Sequence, residues 1–263
     1  MNIPRGIGLF IFCACLSAHA FAARSQEKWQ QTKGQNFIIY SREVPQDFVD
    51  TVMASAEEEF RNVTSGLGIT RYQSWAWDKR AVIYIYRDNE DYVESGGQAG
   101  WSHGAALVQE KVIKTYPSAN GFFDSMLPHE LGHIILHEFT GPYADIPLWF
   151  DEGTAMYQEK ARRLGSDSEV RAAIEKGAFI PLTQLKDVRI YNGTDEDTVH
   201  LFYAEAASAV HFLITEFGDQ HFYKLCRALK DHMRFEDALS ETYVHIKGLE
   251  DLNKQWLKHL QGG

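Results

Sequence analysis

The chain has 263 residues, of which 44% are hydrophobic and 24% are charged, as in an ordinary globular protein. This composition argues against a disordered chain, and the length suits one domain or a domain with two lobes. The formal net charge of −10 at pH 7 argues against a nucleic-acid partner, because binding to phosphates requires basic surfaces.

The first 22 residues differ in composition from the rest. Arg5 precedes an apolar run over residues 7–16, and Ala20 and Ala22 then stand at the spacing of a signal cleavage site. The run is shorter than the roughly 20 apolar residues that span a bilayer. We therefore expect a signal peptide at residues 1–22 that is cleaved, no stable membrane span, and a secreted or periplasmic protein. Retention of the segment as an anchor is the alternative.

The remaining chain changes from mixed strands and helices to helices alone. β-rich runs predict strands at residues 36–40 and 81–86 and paired strands at 105–108 and 111–113, and apolar periodicity predicts a helix over 46–63. Further helices are predicted at about 126–139, 150–163, 200–216, 219–231, 235–244 and 249–260. The fold prediction is thus a single α+β domain over residues 23–263. It has an α/β lobe at about 35–140 and a helical lobe at about 141–261.

A motif with metal-ligand spacing lies at the start of the second half. Residues 129–133 read His-Glu-Leu-Gly-His, an H-E-x-x-H pattern. On a helix, His129 and His133 project from one face a turn apart, which suits two ligands of one zinc ion. Glu130, about 100° away from His129 around the axis, can act as a general base towards an activated water molecule. The alternative is a metal-free helix with two hydrogen-bonded histidines.

A third candidate ligand follows downstream. Glu152 is separated from His133 by 18 residues and lies in the stretch from Trp149 to Ala155, which reads W-x-x-E-G-x-A. Catalytic zinc commonly takes three protein ligands, and a His, His, Glu set provides them. This combination resembles the signature of the gluzincins, the zinc metallopeptidases that include aminopeptidase N-like and peptidase MA-like enzymes. The resemblance is strongest over residues 128–156 and extends weakly over most of 35–261.

The resemblance implies a zincin-like, two-lobed fold with Zn²⁺ at the floor of a cleft and a peptide or protein as substrate. It also implies that Tyr203 donates a hydrogen bond to the oxyanion of the transition state. His200 and His211 are rival donors, and Tyr203 could instead be a core aromatic residue. From its position in the chain, the stretch from Ala105 to Val108 could be an edge strand that binds extended substrate.

The sequence also departs from related zinc enzymes. The third histidine of metzincins is replaced by Phe139. Met156 stands where thermolysin-like enzymes have an acidic residue that orients the first histidine, so Asp151 or a backbone carbonyl is expected to substitute. His137 lies about 12 Å along the helix from His129, too far to share a metal ion, and is expected to be hydrogen-bonded or exposed.

Two functions of different classes follow. The first is a zinc-dependent peptidase in which Glu130 activates water held at His129, His133 and Glu152. The second is a catalytically silent zincin-fold module that binds a peptide or cell-envelope polymer. Retention of Glu130 beside the three ligands favours the enzyme. Substrate specificity and oligomeric state have no signature in the sequence.

Overall fold

The computed structural model describes residues 28–69, 79–96, 105–191 and 193–262. The predicted signal peptide at residues 1–22 lies outside this part of the chain. Within the described residues, none of the helices combines the length and the apolar character that crossing a membrane requires.

A five-stranded sheet forms the N-terminal part of the described chain, in the order β1-β2-β3-β5-β4. Its strands are β1 Gln30–Lys33, β2 Phe37–Ser41, β3 Ala81–Ile85, β4 Ala105–Leu107 and β5 Val112–Thr115. The three central strands β2, β3 and β5 are parallel, whereas β1 and β4 pair antiparallel at the two edges. Alternate residues of β2 and β3 are buried, because one face of the sheet packs in the core with the first long helix.

Helices make up most of the rest. They are α1 Gln46–Gly66, α2 Asn89–Glu94, α3 Leu127–Thr140, α4 Leu148–Gln158, α5 Lys160–Glu175, α6 Leu182–Leu185, α7 Glu196–Phe217, α8 Asp219–Lys230, α9 Phe235–Thr242 and α10 Leu249–Leu260. Helix α4 packs between α3 and α7, and α7 also contacts α5 and α8. The architecture is therefore the predicted α+β class, with a sheet and helices first and a helical region after it. The division into lobes near residue 140 stays a prediction.

Several element boundaries differ from the sequence prediction. The predicted helix at 150–163 is wrong, because the chain leaves helical geometry at Glu159 (φ −74°, ψ 110°) and a separate helix, α5, begins at Lys160. Most of α5 was not predicted, since its Gly165-Ser166-Asp167-Ser168 stretch is poor in helix-forming residues. Strand β1 was also missed, because its polar sequence has no apolar alternation.

Two glycines allow the helices around the motif to approach closely. A Cβ atom built at Gly132 on α3 would lie 2.8 Å from the Cα of Ala155 on α4. A Cβ atom at Gly153 on α4 would lie 2.3 Å from the carbonyl oxygen of Ala206 on α7. Both contacts are closer than a side chain permits. Helix α4 can therefore lie against both α3 and α7 only because these two residues are glycines, which have no side chain.

Candidate metal centre

The three predicted ligands converge on one point. His129 Nε2 and His133 Nε2 are 3.2 Å apart, and Glu152 Oε2 lies 3.7 Å and 3.6 Å from these two nitrogens. The two imidazoles project from successive turns of α3, and Glu152 faces them from α4. The structure thus brings together His129, His133 and Glu152, the three residues that the sequence spacing predicted to be ligands of one metal ion.

These separations fit a zinc ion. A tetrahedral zinc with ligand bonds of about 2.0–2.1 Å holds its ligand atoms roughly 3.3 Å apart. The three observed separations of 3.2, 3.6 and 3.7 Å lie close to that value. Two imidazole nitrogens and one carboxylate oxygen are also a donor set of catalytic zinc sites, which leave a further coordination position for water or substrate.

The charges around the ligands also favour a cation. Burial lowers the pKa of His133, but hydrogen bonds and charge interactions with Asp151 and Glu152 outweigh it and raise the pKa to about 10. Burial likewise opposes ionisation of Asp151, but hydrogen bonds from two histidines hold its pKa well below the ordinary range. Glu130 and Glu159 add further carboxylates beside the same ligands. The cluster therefore has excess negative charge that a divalent cation would neutralise.

The first ligand is oriented by a residue that the sequence prediction missed. Glu159 Oε1 lies 2.8 Å from Nδ1 of His129, and the hydroxyl of Ser125 donates a hydrogen bond to the other carboxylate oxygen. Burial raises the pKa of Glu159, but these two hydrogen bonds outweigh it and lower the pKa below its usual value. The expectation that Asp151 or a backbone carbonyl would orient His129 is therefore wrong.

The signal for Glu159 was present in the sequence. It stands seven residues after Glu152, and seven helical residues return to within about 20° of the same face. The acidic residue thus lies almost two turns after the metal-ligand position instead of one turn after it, where Met156 stands. Met156 itself is almost fully buried and lines the cavity beside the metal centre.

Asp151 holds the second ligand instead. Its Oδ1 lies 2.7 Å from Nδ1 of His133, and its Oδ2 lies 2.9 Å from Nε2 of His137. The expectation that His137 is hydrogen-bonded is confirmed. Each metal-facing imidazole therefore has its second nitrogen paired with a carboxylate, which fixes the ring and its tautomer.

Glu130 is partly buried next to these groups. Burial raises its pKa, although the adjacent His129 and His133 act in the opposite direction and the carboxylate of Glu152 adds to the rise. Glu130 is not one of the three residues whose ligand atoms converge.

A cavity of about 530 Å³ opens beside His129. Tyr203 and His200 both line it, together with Met156 and Glu159. Burial, followed by the charge of Glu152, raises the pKa of the Tyr203 hydroxyl. His200 is more exposed, with 67% of its side-chain surface accessible.

His211 does not line this cavity. It faces α5, where its Nδ1 lies 3.4 Å from Asp167 Oδ2, and its ring packs against Tyr157. Of the three candidate oxyanion donors, the structure therefore places Tyr203 and His200 beside the metal centre and His211 elsewhere.

The sequence profile of the peptidase MA superfamily matches residues 68–261, about three quarters of the chain. The chain belongs to the peptidase MA superfamily. Membership implies a zinc metallopeptidase-type fold, and the donor set at His129, His133 and Glu152 fits that metal. No curated protein sequence matches the chain.

Two solved structures of yeast LTA4 hydrolase are similar to this peptidase MA superfamily member. The complex with bestatin has 15% sequence identity and a TM-score of 0.47, and the native enzyme has 14% identity and a TM-score of 0.46. Each covers 85% of this chain, and the chain spans 37% of the length of either.

Proposed function

We propose that the protein is a zinc-dependent peptidase that hydrolyses peptide bonds. The observation that carries the proposal is the convergence of His129 Nε2, His133 Nε2 and Glu152 Oε2 within 3.7 Å of one another. The pairing of each histidine with a carboxylate supports it, since such pairing raises ligand basicity and fixes ring orientation.

A bound zinc ion would polarise the substrate carbonyl and lower the pKa of a water molecule. Glu130 then takes a proton from the attacking water and later delivers it to the leaving amine. Its burial, which raises its pKa, suits a group that must both accept and return a proton near neutral pH. Glu159 and Asp151 keep the two imidazoles in the orientation that leaves Nε2 free for the metal.

The cavity beside His129, which Tyr203 also lines, offers room for a substrate. The hydroxyl of Tyr203 donates to the oxyanion in this proposal, from the wall of the cavity that also contains His129. Among the described strands β4 lies at the edge of the sheet, as predicted, and the short 3₁₀ turn that follows it, Val108–Glu110, packs against α3. We propose that an extended peptide pairs with β4, because a sheet edge supplies unpaired backbone groups.

The test is the variant Glu130→Gln, assayed on a peptide library with zinc content measured in parallel. We expect zinc to be retained and turnover to fall by about 10²–10⁴, the usual contribution of a general base. Glu138→Gln is the matched control, because Glu138 lies on the same helix but pairs with Lys111.

Three outcomes distinguish the zinc-dependent peptidase from the catalytically silent module. Unchanged turnover in Glu130→Gln would refute the mechanism. A wild-type protein that binds zinc but cleaves none of the library would favour the catalytically silent module. A wild-type protein that binds no zinc would overturn the metal centre itself.

The signal-like residues 1–22 add the proposal that the enzyme meets its substrate outside the cytoplasm. Mass spectrometry of the secreted protein tests this proposal.

A further inference from the structure

His137 contacts the metal centre through Asp151. It lies one turn beyond His133 on α3, and its Nε2 is 2.9 Å from Asp151 Oδ2, while Oδ1 of the same carboxylate is 2.7 Å from His133 Nδ1. Both carboxylate oxygens thus hold an imidazole. The contact connects a residue outside the H-E-x-x-H motif to the second metal ligand.

The side chain of Asp151 is 19% exposed, so water can compete for its oxygens. Asp151 lines a cavity of about 790 Å³, whose cationic residues Lys186 and Arg234 are paired with Glu236 and Asp237. A carboxylate that is free to rotate there could bind water instead of His133. The contact with His137 opposes such a rotation, because it occupies the oxygen that does not bind His133.

We propose that His137 is a positioning residue that secures Asp151 and, through it, the orientation of His133 towards the metal. The inference rests on the proposed zinc centre. Loss of an outer partner of a zinc ligand typically lowers metal affinity by about 10–100-fold. His137 is expected to act in this range without touching the metal, since its own Nε2 is already bound to the carboxylate.

A purely structural role for His137 makes a different prediction. The residue lies in the last turn of α3, where a histidine can stabilise the helix through its dipole. In that case its removal would lower the stability of the metal-free protein and leave zinc affinity unchanged. Zinc affinity, measured apart from stability and activity, therefore separates the two roles.

The experiment measures zinc affinity by competition with a chromophoric chelator in the full chain. The variants are His137→Ala, His137→Gln, Asp151→Asn and the double variant His137→Ala/Asp151→Asn. We expect His137→Ala to weaken zinc binding by about 10–100-fold and His137→Gln to restore most of it, because an amide nitrogen can donate to Asp151. The double variant should bind zinc no more weakly than Asp151→Asn alone.

The controls keep folding and metal effects apart. His221→Ala is the matched control, because His221 is also partly buried and hydrogen-bonded, but to the backbone carbonyl of Phe217. Thermal unfolding of each metal-free variant reports stability. If His137→Ala does not fold, His137→Phe replaces it in the comparison of zinc affinity with the wild type. Phenylalanine keeps an aromatic ring at this position but has no nitrogen to donate to Asp151.

Two results would overturn the inference while leaving the proposed function intact. One is wild-type zinc affinity in His137→Ala or His137→Phe. The other is independent, additive losses of affinity from His137→Ala and Asp151→Asn in the double variant. Absence of zinc binding by the wild type would instead overturn the proposed function and this inference together.

Discussion

Glu159 and His129 form the hydrogen bond that orients the first candidate metal ligand, with Glu159 Oε1 2.8 Å from Nδ1 of the imidazole. Glu159 stands at the junction of α4 and α5, seven residues after the third ligand. Because Nδ1 is occupied, Nε2 of the same ring is left to face His133 and Glu152. The carboxylate therefore determines which nitrogen the first ligand offers.

Substitution of Glu159 should weaken the metal centre. We expect Glu159→Ala to lower zinc affinity by about 10–100-fold, because His129 loses the partner that fixes its ring. Chelator competition measures this change. Glu169→Ala is the control, because Glu169 lies on α5 and is partly exposed. Equal zinc affinity in Glu159→Ala and the wild type would contradict the assigned role.

Substitution of Gly153 should disturb the packing of α4. The added Cβ of Gly153→Ala would lie 2.3 Å from the carbonyl oxygen of Ala206 and 2.7 Å from a methyl group of Val210, so α4 has to shift away from α7. We expect a loss of about 1–3 kcal/mol of stability, as in overpacked cores, together with weaker zinc binding. Urea unfolding and chelator competition measure the two effects.

Gly165→Ala is the matched control for that variant. Apart from its neighbours in the chain, the nearest side-chain atom to a Cβ built at Gly165, within α5, is Glu169 Oε1, at 4.0 Å. An alanine there should raise stability by about 0.5–1 kcal/mol, because glycine is unfavourable within a helix. Destabilisation of similar size in both variants would argue against the close approach of α4 and α7.

Tyr203 should contribute to turnover and not to metal binding. If its hydroxyl donates to the oxyanion, Tyr203→Phe should reduce kcat by about 10²–10³ while zinc affinity stays unchanged. Steady-state kinetics on a cleaved library peptide measure this effect. His200→Ala is the comparison, because His200 lines the same cavity but is more exposed. A larger loss of kcat in His200→Ala would transfer the role to His200.

Glu205 should make stability depend on pH. It is fully buried on α7, where its Oε1 accepts a hydrogen bond from the backbone nitrogen of Ile180, and burial raises its pKa from about 4.5 to about 8. Between these pH values the folded protein keeps a proton that the unfolded chain has released. Stability should therefore fall as pH rises from about 4.5 to about 8.

The variant Glu205→Gln should remove this dependence. The glutamine amide remains neutral, so the unfolding free energy of the variant should change less between pH 5 and pH 8 than that of the wild type. The difference should be up to a few kcal/mol, at about 1.4 kcal/mol per pKa unit. Urea unfolding at both pH values measures the difference. Glu216→Gln, an exposed position on the same helix, should leave the pH dependence unchanged.

The sequence predicted what depends on local spacing. His129 and His133 had to share a helix face, and the distance in sequence to Glu152 matched a known pattern, so the three ligand atoms could be expected together. The pairing of β4 with β5 was also predicted from two short apolar runs. The fold class followed from the change of pattern along the chain.

Contacts between distant helices were harder to predict. The contact of His133 with Asp151, and of Asp151 with His137, depends on how α4 lies against α3, which no local pattern specifies. The facing of His211 towards Asp167 likewise depends on the packing of α5 against α7. Sequence periodicity gives the buried side of a helix but not the residue that it will meet.

The turn at Glu159 restricts how this part of the chain can change in evolution. Glu152, on α4, and Glu159, directly after it, face the two nitrogens of the same imidazole, Nε2 and Nδ1 of His129, so their rotational phase must be kept. One extra residue between them would swing Glu159 by about 100° around the axis and leave His129 without its partner. This segment should therefore tolerate many substitutions on its outer surface but no insertion or deletion.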